Sequence, residues 1–221
     1  MTAHVDKNKK RVFLVDDHPL VREWLTNLIN QQPDLTVSGE AESAPHAIQA
    51  IAATRPDVVI VDISLKDSSG IELIKDLKQS HPDGKVLVLS MHDESHYAAR
   101  ALRAGARGYV MKRETTRKVI DAIRRILEGK LYISDKVAEI LAGRMVGSRR
   151  QEGRSPVEQL SDRELEVFEL LGQGKGTRQI GESLGVSVKT VQAYCARIKE
   201  KMGLGSATEL LREAIRRNES K

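Results

Sequence analysis

Only one cysteine, Cys195, occurs in the 221 residues, so an internal disulfide framework is excluded and a reducing compartment is expected. Aromatic side chains are almost as scarce: two Phe, four Tyr and one Trp, which leaves Val, Ile, Leu and Ala to build any core. Long apolar runs are missing too. None approaches the roughly 20 residues that cross a bilayer as a helix. Residues 1–11 are polar and basic, but the apolar stretch that follows is interrupted by Asp16 and Asp17, which is not the pattern of a signal peptide. These absences predict a soluble cytoplasmic protein with no membrane partner.

What is present is enough for folded domains. Hydrophobic residues make up 40% and charged residues 30% of the chain, and the apolar positions are periodic, which argues against wholesale disorder. The length suits one large domain or two small ones. The net charge of +5 is uneven: residues 1–128 carry 19 basic against 18 acidic side chains, residues 144–221 carry 15 against 11. A basic C-terminal third favours a polyanionic partner, although the margin is small.

From Arg11 onward, short Val- and Ile-rich runs alternate with longer helical patterns. The runs are Val12–Val15, Thr36–Ala41, Val58–Asp62, Val86–Ser90 and Gly108–Met111. The helical patterns are Pro19–Asn30, Ala44–Thr54, Gly70–Ser80, His96–Ala104 and Thr115–Glu128. Five such units in about 120 residues predict a doubly wound α/β domain, a five-stranded parallel sheet with helices on both faces. One further helix is expected within Tyr132–Arg144, with Ser134 as its N-cap, and Gly143–Pro156 reads as a linker. The remainder is all helical. Ser161 to Glu164 and Ser206 to Glu209 are capping boxes ahead of apolar runs. Between them Thr177–Leu184, a turn at residues 185–187 and Val188–Met202 form a helix-turn-helix pattern.

Chemistry-bearing residues gather at the strand ends. Asp16 and Asp17 follow the first strand, Asp62 ends the third, Ser90 ends the fourth and Lys112 follows the fifth. In an open parallel sheet these ends share one rim, where such folds bind ligands. Single Asp residues often end strands because turns favour them, but three carboxylates, a hydroxyl and an ammonium on one rim suit another purpose. Carboxylate oxygens fit a hard cation such as Mg²⁺. The cation offsets charge on an incoming phosphoryl group, one carboxylate attacks it, and the lysine and hydroxyl hold its oxygens.

Residues 11–128 resemble the receiver domain of two-component response regulators, through the strings running from Val15 to Leu20, Val61 to Leu65, Leu89 to His92 and Gly105 to Lys112. The resemblance implies a flavodoxin-like sheet in which Asp62 is the phosphoacceptor. It also implies that Asp17 and the Ser64 backbone carbonyl ligate Mg²⁺, with Asp16 acting directly or through water. Ser90 and Lys112 would grip the phosphoryl group, and Tyr109 would turn inward as Ser90 is drawn towards it. The alternative for Tyr109 is a half-buried edge-strand residue. Two departures stand out: Lys66 lies four residues after Asp62, where many receivers carry Pro, and Arg113 follows Lys112 in place of another Pro.

In Val188–Met202 the apolar residues Val191, Cys195, Ile198 and Met202 fall on one helical face, while Lys189, Ala193, Ala196 and Glu200 lie opposite, flanked by Gln192 and Arg197. Such a face can enter a major groove, Gln pairing with adenine and Arg or Lys with guanine or phosphate. Charge alone would favour an ordinary solvated face. However, the strings from Leu160 to Phe168, Ile180 to Val191 and Lys199 to Leu204 resemble the LuxR-type DNA-binding domain, over about residues 156–217. By that resemblance Lys189, Gln192, Ala193, Ala196 and Arg197 face the groove, and Thr177, Arg178 and Tyr194 contact the backbone. The run from Gly172 to Thr177 lacks the spacing of a phosphate-binding loop and reads as a helix-ending turn.

Together these readings imply a response regulator of the NarL/FixJ subfamily: a tail (1–10, disordered), a receiver (11–128), a linker with a possible helix (129–155) and a small four-helix domain (156–221). Its partners would be a sensor histidine kinase and double-stranded DNA, with phosphorylation of Asp62 switching homodimerisation, exposure of the recognition helix, or both. Two other classes are distinguishable. An aspartyl-phosphate enzyme would turn over a separate phosphoester through Asp62. A regulator whose receiver only dimerises would keep full regulation in Asp62→Ala.

Overall fold

The computed structural model describes residues 9–66, 68–146 and 156–219, and the chain forms two compact units that divide between Val146 and Gly147. The first unit runs β1 (Lys10–Val15), α1 (Pro19–Asn30), β2 (Leu35–Ala41), α2 (Ala44–Thr54), β3 (Val58–Val61), β4 (Ser64–Leu65), β5 (Ser68–Ser69), α3 (Gly70–Ser80), β6 (Lys85–Ser90), α4 (Glu94–Ala104), β7 (Gly108–Met111), α5 (Thr116–Leu127) and α6 (Asp135–Val146). Five strands pair in parallel in the order β2-β1-β3-β6-β7. The strands are apolar along their whole length because both faces of the sheet are covered. Alternate residues then serve opposite faces. Val12, Leu14, Val58, Ile60, Leu87 and Leu89 join Leu25 and Ile29 of α1 and Ile120, Ile123 and Ile126 of α5 in one core. Phe13, Val15, Val59, Val61 and Val88, also buried, point to the other face.

The helix boundaries of α1, α2 and α3 coincide with the sequence periodicity. Helix α4 starts two residues before the expected His96, because the Asp93 carboxylate caps it by accepting the Ser95 N–H. Asp62 stands just beyond β3 rather than at its end. Its N–H still donates to Val15 O, but its carboxylate turns back to accept the Ser64 N–H at 3.2 Å. The small antiparallel pair β4–β5 was not legible in the sequence.

Residues beyond α5 remain part of the first unit. The Tyr132 N–H donates to Arg107 O, and Tyr132 O accepts the Tyr109 N–H at 2.9 Å, so this residue lies along the free edge of β7. Helix α6 then packs on α4, with Val137 buried and Lys136 3.9 Å from Asp93. Ser134 accepts the Val137 N–H as its expected cap. The helix continues through Val146, past the point where the linker was expected to begin. The remaining linker, residues 147–155, and residues 1–8 of the expected tail lie outside the described residues, whereas Lys10 already belongs to β1.

The second unit holds a short 3-10 helix (Pro156–Gln159) followed by α7 (Asp162–Gly172), α8 (Thr177–Leu184), α9 (Val188–Met202) and α10 (Ala207–Glu219). Helix α7 packs against α8, α9 and α10. Both halves of the Ser161–Glu164 capping box form, and Glu164 also holds Lys201 of α9 at 2.6 Å. The second box forms differently: Ser206 accepts the Glu209 N–H, but the Glu209 carboxylate takes the N–H of Gly205. The φ of 66° at Gly185 places it in the left-handed region, which lets the chain turn between α8 and α9 without a Cβ penalty. None of the described helices is long and apolar enough to cross a membrane.

Ser161→Ala removes the cap that starts α7 and should lower stability of the second unit by about 1 kcal/mol, measured as faster amide exchange confined to residues 156–219.

Candidate phosphoryl-acceptor site and nucleic-acid interface

Strand order reverses between β1 and β3, and ligands in such sheets bind beyond the carboxyl ends of the strands at that point. Asp16 and Asp62 follow those two strands and are 3% and 4% exposed. Lys112, arriving after β7, puts its ammonium 2.7 Å from Asp16 Oδ2 and 2.6 Å from Asp62 Oδ2. Burial pushes the Asp62 carboxyl above the usual carboxylate range, with Asp16 adding to the push and Lys112 opposing it. Burial alone would lower the Lys112 ammonium, but the Asp62 and Asp16 carboxylates outweigh it and hold it above the usual lysine value.

One ligand atom each from Asp16, Asp17, His18 and Asp62 lies within 4.8 Å of the others. Asp17 Oδ1 is buried and accepts no hydrogen bond, with His18 Nδ1 2.9 Å away. A cluster of hard oxygens with one oxygen unsatisfied fits a hard divalent cation.

Ser90 is fully buried at the end of β6, and its Oγ accepts the His92 N–H at 3.2 Å. His92 is the junction that sequence reasoning left without a role. Its Nε2 lies 2.6 Å from Ser64 Oγ, its carbonyl accepts the Tyr109 hydroxyl at 2.9 Å, and its ring packs on Tyr97 with centroids 4.4 Å apart. The string from Leu89 to His92 contained this residue, but nothing local signals a partner 28 positions away. Tyr109 is 2% exposed, so its ring already lies inside the unit rather than half buried at the edge. Gly70 is a second omission. A Cβ there would lie 2.0 Å from the Asp62 carbonyl oxygen, so only glycine lets α3 start this close to Asp62. Lys66 is exposed.

On α9, Val191 and Ile198 are buried while Cys195 and Met202 are half-buried. Lys189, Gln192, Ala193, Ala196 and Arg197 are all exposed, so they share the outward face. The Arg197 guanidinium stands 6.0 Å from the centroid of the half-buried Tyr194 ring. Thr177 and Arg178 open α8, with Arg178 exposed and 3.3 Å from Glu182. Ser187 caps α9 by accepting the Thr190 N–H. The run from Gly172 to Thr177 is a helix-ending turn, with Gly174 at φ 80°. Burial raises the Cys195 thiol pKa, which suits a structural rather than reactive cysteine.

An acidic pocket at the switch point of a parallel sheet, joined to a helix-turn-helix unit, defines a class: a receiver coupled to a DNA-binding output. Comparison with known proteins gives the same division. Residues 12–124 match the response regulator receiver domain, and residues 158–214 match the bacterial regulatory proteins of the luxR family. The chain is 34% identical to the transcriptional regulatory protein DegU of Brevibacillus brevis, over 98% of this chain and 97% of that protein. It is 35% identical to the oxygen regulatory protein NreC of Staphylococcus carnosus, over 94% and 97%. The solved structure of RcsB from Salmonella enterica serovar Typhimurium, bound to the promoter rprA in the presence of the phosphomimetic BeF3-, is similar with a TM-score of 0.61 and 25% identity. That match covers 93% of this chain and 98% of that one. The chain therefore belongs to the response regulators that join a receiver to a LuxR-type DNA-binding domain, the NarL/FixJ subfamily.

Two variants follow from the pocket geometry. Gly70→Ala forces the loop around Asp62 to shift and should cut the rate of labelling by acetyl phosphate at least about tenfold, a barrier raised by roughly 1.4 kcal/mol, while circular dichroism stays native. Lys112→Met removes the ammonium between two carboxylates and should raise the Asp62 pKa further, measured as the pH at which its carboxyl carbon shift titrates.

Proposed function

We propose that this protein is a phosphorylation-dependent regulator of transcription in which Asp62 accepts a phosphoryl group from a sensor histidine kinase with Mg²⁺. The observation that carries the reading is the buried Asp16–Lys112–Asp62 cluster beside the Ser90–His92–Tyr109 chain of hydrogen bonds. Asp16, Asp17, Asp62 and the Ser64 backbone carbonyl would hold the cation, which offsets negative charge on the entering phosphoryl group. The Asp62 carboxylate is the nucleophile. It forms one O–P bond as the kinase's N–P bond breaks, and the histidine leaves. Lys112 exchanges its contact with Asp62 for a phosphoryl oxygen, and Ser90 Oγ turns to another. No other enzymatic activity than this transfer and its hydrolysis is assigned.

The consequence travels through His92. Once Ser90 Oγ is engaged by the phosphoryl group, it no longer serves the His92 N–H in the same position. The Tyr109 hydroxyl, bonded to the His92 carbonyl, senses that movement. The Tyr109 main chain is in turn bonded to Tyr132. The face formed by α4, β7 and α5 carries the chain's own Tyr132 and α6, which favours a change in the segment leading to the second unit over direct dimerisation through that face. Residues 11–128 act as the receiver, 129–155 as the connection and 156–221 as the DNA-binding domain. In the DNA complex Lys189, Gln192, Ala193, Ala196 and Arg197 face the major groove, with Thr177, Arg178 and Tyr194 towards the phosphates. A twofold dimer of phosphorylated chains then reads two half-sites. To move the equilibrium from 1:99 to 99:1, phosphorylation has to favour the active state by roughly 5.5 kcal/mol.

The test is capture of random genomic DNA fragments, with and without acetyl phosphate and Mg²⁺. Selective enrichment that needs the donor and disappears in Asp62→Ala is expected. Equal enrichment in both conditions would leave DNA binding but remove control from Asp62, as in a receiver that only dimerises. Arg197→Ala should weaken binding to the captured site by about 1–3 kcal/mol. Lys66→Pro, which replaces an exposed cation four residues after Asp62, should change the rate at which Asp62 is phosphorylated or dephosphorylated; two unaltered rates would remove Lys66 from the mechanism.

A further inference from the structure

Arg22 lies early in α1, and its side chain is only 14% exposed. Its Nη1 donates to the main-chain carbonyl of Asp16 at 2.7 Å, and its Nε stands 3.7 Å from Glu40 Oε1 on β2. Asp16 is held from the other side as well: its N–H donates to Ala41 O, and its Oδ1 accepts the His18 N–H at 2.9 Å. These bonds tie the loop between β1 and α1 to both neighbours. They matter because the loop has to present adjacent carboxylates, Asp16 and Asp17, beside a third, Asp62. Like charges that close repel, and a free loop would relieve the repulsion by turning one carboxylate out to water. Lys112 offsets part of that charge through the Asp16 and Asp62 carboxylates, whereas Arg22 grips the backbone beneath them.

We infer that Arg22 is a positioning residue that fixes the Asp16–Asp17 loop in the geometry that binds a divalent cation. It touches neither cation nor phosphoryl group and acts through the Asp16 carbonyl. The inference rests on the proposed Mg²⁺-dependent phosphorylation of Asp62 and adds a residue that the acidic rim does not include.

The experiment is calorimetric titration of Mg²⁺ into the full chain, paired with the Mg²⁺ dependence of acetyl phosphate labelling. Wild type, Arg22→Gln and Arg22→Lys are compared, with Ile126→Val as a mildly destabilised control in the core. Arg22→Gln is expected to raise the Mg²⁺ Kd about 5- to 10-fold, the net value of one ordinary hydrogen bond. Its labelling rate should reach the wild-type plateau at higher Mg²⁺. Arg22→Lys, which keeps the charge but loses the planar guanidinium fork, should fall between. An unchanged Kd in Arg22→Gln, an equal rise in Ile126→Val, or a lowered plateau with unchanged Mg²⁺ dependence would each overturn the positioning role. If wild type binds no Mg²⁺ at all, the Asp62 reading itself fails and this inference falls with it.

Discussion

Two buried carboxylates, Asp16 and Asp62, with the half-buried Asp17 beside them, repel one another at separations within 4.8 Å, and Lys112 is the cation that bridges the buried pair. A single charge pair at this range represents about 4 kcal/mol of gross Coulomb energy at an effective dielectric constant near 20, much of it cancelled by desolvation of the partners. That gross energy is of the same order as the roughly 5.5 kcal/mol needed to throw a two-state switch. The sheet exists, in this sense, to bring Asp16, Asp62 and Lys112 from three strand ends to one point.

The hydrogen bonds around His92 extend that point into a path. Ser64, Ser90 and Tyr109 reach His92 from three different elements, and Tyr97 packs on its ring. The path continues through the main chain of β7 to Tyr132 and, through the packing of α6 on α4, to the residues that lead out of the unit. A receiver with this arrangement has its output segment attached to the same strand that carries its buried tyrosine.

Much of the fold was legible because its signals are local. Alternating Val- and Ile-rich runs give buried parallel strands, and capping residues such as Ser161 mark helix starts within four positions. Helices α1, α2, α3, α8 and α9 accordingly follow the periodicity. Helix α4 begins early because Asp93 caps it, and α6 runs on because its packing against α4 outweighs the weak helical signal around Gly143. The acidic rim was legible because strand ends can be counted. His92, Gly70 and Arg22 were not, since each owes its importance to a partner distant in sequence or to a close backbone approach that no residue pattern announces.

Sequence by itself determined that there are two units, which residues bear charge and hydroxyl at the sheet's rim, and which face of α9 is polar. These follow from periodicity and side-chain chemistry, which every residue carries with it. Tertiary structure alone decided that Lys112 bridges Asp16 and Asp62, that Tyr109 is already inside, and that Tyr132 and α6 lie on β7 and α4. Those outcomes depend on distances between segments up to 96 residues apart, and such distances are set by how the layers pack, not by any local preference.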